Sequence, residues 1–226
     1  RSWYGLTPRG RKLLESGRER IYRPTSEASW DGKWSVIVFS VPETRRRLRD
    51  ALRVRLSWLG CGLLTSGAWI SPHDVRAEVL EIAAELKLAR NVEIFRGEHL
   101  AHSSPERLVA QCWDLAGLDR RYAAFIARWS REFEHCSQCG MTGARAGIHK
   151  PCTAPADCFR RRFLLVHEYR AFPLEDPLLP GPLLPAGWNG KAAARLFETY
   201  HDVLAGPAER FVADVCAEGD EIVAAA

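Results

Sequence analysis

No run of apolar residues in this chain approaches the ~20 needed to cross a bilayer. The first residues, Arg-Ser-Trp-Tyr-Gly-Leu-Thr, carry no apolar segment of the kind a secretory leader requires. Neither a membrane protein nor a secreted one is expected, and the reading is cytoplasmic. Residue 1 is not methionine, so something N-terminal to it is expected to have been removed or to lie outside this sequence. Strong charge of one sign is also lacking: the net charge is +4, with 27% charged and 46% hydrophobic residues, which excludes a disordered chain. No internal repeat is visible, and no nucleophile–base pair or carboxylate cluster marks an enzyme. The seven cysteines are an odd number, and without a leader they argue for reduced thiols in the cytosol rather than a disulfide framework. The 226 residues suffice for one large domain or two to three small ones.

The small net charge is unevenly placed. Residues 1–23 hold Arg1, Arg9, Arg11, Lys12, Arg18, Arg20 and Arg23 against Glu15 and Glu19, a balance of +5 that leaves −1 for the rest. A basic end beside a neutral body is the pattern of a nucleic-acid-binding arm, and also that of a solvated terminal helix.

Three segments follow along the chain. In residues 1–24, Ser2 to Leu6 reads as a short strand, with Thr7 as N-cap and Pro8 opening a basic helix. This piece is too small to bury a core and reads as the end of a domain. In residues 30–100, Lys33–Val41 is nearly all apolar at its centre and predicts a central strand. Glu43 to Leu59 places Leu48, Leu52, Leu56 and Leu59 at helical spacing, with Arg45, Arg46, Arg47, Arg49, Arg53 and Arg55 on the other face. Two short strands around Ser66-Gly67, a helix over 72–88 and a strand over 91–95 complete a βαββαβ order, the ferredoxin-like split βαβ. Residues 104–226 read as all-α. Helices are expected over 118–135, 157–172 and 191–204, with a last one restarted by Gly206-Pro207. A proline-rich stretch, 173–190, should pack rather than float. The fold class is α+β.

Two constellations carry chemistry. Cys136, Cys139, Cys152 and Cys158 follow the pattern C-x2-C-x12-C-x5-C in an insertion over 136–158. Thiolates at x2 spacing converge on one point, so four of them would suit a structural zinc; the alternative is a glycine-rich loop with incidental thiols. On the 157–172 helix, Phe163, Val166, His167 and Arg170 share a face, with Arg162 and Tyr169 beside them. A His and an Arg there could meet a thioester carbonyl or a phosphate, or serve an ion-pair network with Glu168 and Asp176.

The motifs Arg162-Phe-Leu-Leu-Val-His-Glu-Tyr-Arg170, Asp176-Pro-Leu-Leu-Pro180, Leu183-Leu-Pro185 and Trp188-Asn-Gly190 together resemble the PaaX family, the repressors of phenylacetic acid catabolism. Trp34 to Pro72 resembles that family's central ferredoxin-like domain. Tyr4-Gly-Leu-Thr-Pro-Arg-Gly10 resembles the end of its winged-helix domain, the wing strand running into the next helix. Asn189 departs from the more usual proline, and the cysteine insertion is no hallmark of the family. The resemblance implies a dimeric DNA-binding repressor released by an aryl-acyl-coenzyme A such as phenylacetyl-coenzyme A, with double-stranded operator DNA as partner and no required cofactor. It implies DNA contacts from Arg1, Ser2, Trp3, Tyr4, Arg9, Arg11 and Lys12. Such an effector needs an apolar pocket and donors for its thioester and phosphates, and stretch 162–188 offers Phe163, Val166, Tyr169 and Trp188 as walls and Arg162, His167 and Arg170 as polar groups, expected in a cleft between the central and C-terminal domains. The central domain is also similar to the ferredoxin-like endoribonucleases of CRISPR spacer acquisition. Those carry an acidic residue at the end of the first strand, where this chain has Phe39-Ser40-Val41, so an enzyme is not expected.

Overall fold

A computed structural model describes residues 5–8, 10, 11, 14, 15, 30–100, 104–136 and 154–224, with side chains as far as 217. The chain divides into two compact units, residues 1–118 with 172–188, and residues 119–171 with 189–226.

In the first unit four strands form one antiparallel sheet: β1 (Lys33–Phe39), β2 (Gly62–Thr65), β3 (Ala68–Ser71) and β4 (Val92–Glu98), ordered β2-β3-β1-β4. Helix α1 (Arg46–Trp58), preceded by a 3-10 turn over Glu43–Arg45, joins β1 to β2, and α2 (Arg76–Glu85) joins β3 to β4. The βαββαβ order is the one expected, and with it the mixed α+β class. β1 lies at the centre because its apolar run has work on both faces. Ile37 pairs with Trp69 and Ile94, and Val36 with Ile70 and Phe95. Ile37, Phe39, Trp69 and Val92 form a core with Leu52 and Leu56 of α1 and Val79 and Ala83 of α2. Gly60 ends α1 at φ +85°, a left-handed conformation that costs glycine least.

The other face is covered by elements from outside 30–100. Helix α3 (Pro105–Cys112) was not expected from the sequence, although Ser104 caps it by accepting from the Arg107 N–H and Pro105 opens it. Val109 of α3 with Leu115, Leu179 and Leu183 packs on Trp34 and Ile70, and Trp188 joins from the edge. α3 and the proline-rich stretch fall in the first unit, with the sheet. The physical reason is the second apolar face of β1 and β3, which needs a cover. Asp176 folds the stretch locally by accepting the Leu178 N–H at 2.7 Å, and His73 Nε2 meets the Leu178 carbonyl at 2.9 Å.

The second unit is helical. It is built from most of α4 (Leu115–Cys136), α5 (Pro155–Tyr169) and α7 (Gly190–Ala224); the short α6 (Phe172–Glu175) falls in the first unit. Its core is aromatic. Phe125 and Trp129 of α4, Tyr169 of α5, and Phe197 and Tyr200 of α7 are all buried. The Tyr169 and Phe197 rings stack at 3.9 Å with 7° between planes. The expected break at Gly206-Pro207 is corrected: Pro207 lies inside one continuous α7. Leu204 and Ala208, on either side, are both buried on the same face, so packing holds the helix through a residue that removes one backbone donor.

Candidate functional site

Helix α5 carries most of the expected effector residues, and the fold separates them by the face on which they fall. Cys158, Leu165 and Tyr169 turn inward and are buried. Phe163, 61% exposed, stacks on the ring of His167 at 6.2 Å with 17° between planes. Arg170, one turn further, is exposed and makes no ion pair among the described residues. An aromatic ring, an imidazole and a free guanidinium therefore follow one another along one outer face, as expected of residues spaced four and three apart. Tyr169 instead serves the aromatic core. Trp188 packs in the first unit, while the other five residues lie in the second.

Arg162 is engaged. Its Nε donates to His201 Nε2 of α7 at 3.1 Å, and its Nη1 reaches Glu209 at 3.4 Å. Burial, and then the Arg162 charge, hold His201 below the ordinary histidine range. Glu168 ties α5 to α4, accepting from Arg128 at 2.8 Å and from the Trp129 ring N–H at 3.1 Å. The ion-pair role weighed for this helix thus falls to Arg162 and Glu168, leaving Arg170 open. His201 went unnoticed in the sequence; only its spacing of four from Phe197 on a helical stripe could have signalled it.

The arginine face of α1 is largely tied within the first unit. Arg49 pairs with Glu43 at 2.8 Å, Arg53 donates to the Ser66 carbonyl at 2.7 Å, Arg55 pairs with Glu85, and Arg45 donates to the Lys87 carbonyl. Arg46 and Arg47 are exposed, and Arg46 lies beside Glu43 and Asp50.

Of the expected DNA contacts, Arg1, Ser2, Trp3, Tyr4, Arg9 and Lys12 lie outside the described residues. Arg11 is exposed and its N–H bonds the Thr7 carbonyl at 2.9 Å. Thr7 Oγ1 accepts the Gly10 N–H at 3.1 Å, the N-cap read from the sequence.

Of the four cysteines, Cys139 and Cys152 lie outside the described residues. Cys136 ends α4 and Cys158 sits in the first turn of α5, both buried. Cys136 Sγ accepts from Arg161 at 2.6 Å and lies 3.0 Å from the Tyr200 hydroxyl. Among the described residues no group of three or more His, Cys, Asp or Glu gathers around a point.

Comparison with known proteins finds two models of one family along the chain. Residues 27–109 match the family model of the PaaX protein central Cas2-like domain, and residues 113–214 that of the PaaX-like protein C-terminal domain. The chain belongs to the PaaX family. It is 30% identical over 217 residues to the transcriptional repressor PaaX of Escherichia coli strain K12, covering 95% of this chain and 65% of that protein. It therefore spans a little under two thirds of that relative's length. That relative is a transcriptional repressor. A solved structure, the uncharacterized protein Rv0674 from Mycobacterium tuberculosis, superposes with a TM-score of 0.57 at 23% identity, covering 90% of this chain and 73% of that one, and so shares the fold. Among the described residues no helix is long and apolar enough to cross a membrane.

Proposed function

We propose that this protein is a DNA-binding transcriptional repressor of phenylacetate or related aromatic-acid catabolism, released by an aryl-acyl-coenzyme A such as phenylacetyl-coenzyme A. The observation that carries the reading is the match of both family domains and of the E. coli repressor along 95% of the chain. It acts in the cytoplasm as a homodimer on double-stranded operator DNA. The strand order β2-β3-β1-β4 with two crossing helices supports a ferredoxin-like central domain as the dimerising part. The basic residues Arg1, Arg9, Arg11 and Lys12, with Ser2, Trp3 and Tyr4, belong to the end of a winged-helix domain and meet phosphates.

The effector contacts fall on the outer face of α5. Phe163 offers an aryl ring a flat neighbour, and His167 and Arg170 offer donors to a thioester carbonyl and to phosphate. Such a ligand must bind one conformation better than another, and that difference weakens DNA binding.

Thermal-shift measurement against a panel of acyl-coenzyme A thioesters tests the reading. A true effector at about 100 times its dissociation constant adds about 2.7 kcal/mol of stability. Calorimetry then compares wild type with Arg170→Ala, both shown folded by circular dichroism. The effector role expects a loss of roughly 1.5–3 kcal/mol in binding, the scale of a charge-assisted hydrogen bond. Equal affinities leave the α5 face as structure. A panel in which a different acyl group wins keeps the regulator and changes its signal.

A further inference from the structure

His201 projects from α7 with its side chain only 13% exposed, its ring tilted against Phe197 at 5.6 Å. The charged groups facing it are Arg162 from α5, and Asp202 and Glu209 from α7 itself. Its contact with Arg162 has a chemical requirement. A guanidinium is always a donor, so at 3.1 Å the Arg162 Nε–H needs a lone pair on His201 Nε2. The imidazole must then be neutral with its proton on Nδ1, the nitrogen that lies 3.5 Å from Asp202 Oδ1. A second proton would land on Nε2, set N–H against N–H, and leave two cations at contact distance.

We propose that His201 and Arg162 form a proton-sensitive latch between α5 and α7, closed with a neutral imidazole and opened when His201 is protonated. Opening takes one proton from solvent onto Nε2 and releases the Arg162 Nε–H. Glu209, 3.4 Å from Arg162 Nη1, keeps the released guanidinium nearby, so the switch loosens the helix pair without expelling the side chain. The latch sits on the same helix as Phe163, His167 and Arg170, and it stands on this geometry whatever those residues bind.

The sign follows from the requirement. The folded state disfavours the proton, so the unfolded chain binds more protons in the window between the two values. The latch contributes fully above about pH 6.5, the ordinary histidine value, and its contribution is lost as pH falls below that through the lower value of the folded state.

Two measurements on the full chain test it. Nitrogen-detected NMR titration of isotope-labelled wild type should show His201 neutral with the proton on Nδ1 near neutral pH, and a midpoint below about 6.5. Melting curves at about pH 7.5 and about pH 5 should show wild type losing roughly 2–4 °C more than His201→Gln, whose amide oxygen can accept from Arg162 but cannot titrate. A His201 midpoint at or above the ordinary value, or a proton on Nε2, overturns the latch on wild type alone, whether or not the variant folds. Equal pH losses in a folded His201→Gln overturn it as well.

Discussion

At position 189 a single backbone N–H decides which residue can stand there. The family pattern read from the sequence has proline between Trp188 and Gly190, and this chain has asparagine. The Asn189 N–H donates to Asp119 Oδ1 at 2.8 Å, and its side-chain amide reaches both Asp119 oxygens at 3.1 and 3.2 Å. The Asn189 carbonyl meanwhile accepts from Ala193 in the first turn of α7. Proline can supply none of the three donated bonds. Asn189→Pro should therefore strand a half-buried carboxylate and cost roughly 1–3 kcal/mol. For a chain of this size that is a fall of several degrees in Tm, on the order of 2–4 °C per kcal/mol. Asn189→Ala keeps the backbone donor and should cost less. Thermal melts of the two variants side by side check the ordering, and an unchanged Asn189→Pro would show that the Asp119 contact contributes nothing.

Elements whose cause is local were legible in the sequence; those with a distant cause were not. The apolar run of β1, the leucine spacing of α1 and the glycines after it needed no partner to be read, and they appear where expected. α3 carries its own Ser104-Pro105 start signal, yet its 8 residues are too short for periodicity to announce them. The placement of 172–188 against the sheet depends on Leu179 and Leu183 meeting Trp34 and Ile70 far away in sequence, and no local pattern encodes that pairing. The α5 site was half legible for the same reason. Spacing set Phe163, His167 and Arg170 on one face, but only the packed helices show that Tyr169 is spent on Phe197 and Arg162 on His201. The joint between α4 and α5 is the element where a metal proposal rests on the cysteine pattern. Four thiolates there expect about one zinc per purified chain and a lower Tm after chelation. Cys136 would have to give its sulfur to the metal in place of Arg161 and Tyr200. Elemental analysis that finds no metal, with stability unchanged by chelator, leaves Cys136 as a partner of Arg161 and Tyr200 only.

For the whole molecule, charge distribution decides where DNA can be held. The chain carries +4 overall and +5 in its first 23 residues, while Arg49, Arg53 and Arg55 of α1 are held by Glu43, the Ser66 carbonyl and Glu85. An arginine already held by Glu43 or by the Ser66 carbonyl must give up that bond before it can neutralise a phosphate and release the counterions condensed there. Phosphate contacts without base contacts position a protein but carry no sequence preference. This chain should bind duplex DNA weakly and alike for any sequence. Each phosphate contact contributes about 0.9 to the slope of log affinity against log salt, so replacing Arg9, Arg11 and Lys12 by alanine should flatten that slope by up to about 2.7. Arg49→Gln and Arg53→Gln in α1 should leave it nearly unchanged. Fluorescence anisotropy across a salt series measures all of these on one labelled duplex and a scrambled control. Tight, salt-insensitive binding to one operator by this chain would refute the electrostatic assignment. A slope that responds to the α1 variants and not to the N-terminal ones would move the DNA-binding surface to the first unit's helix face.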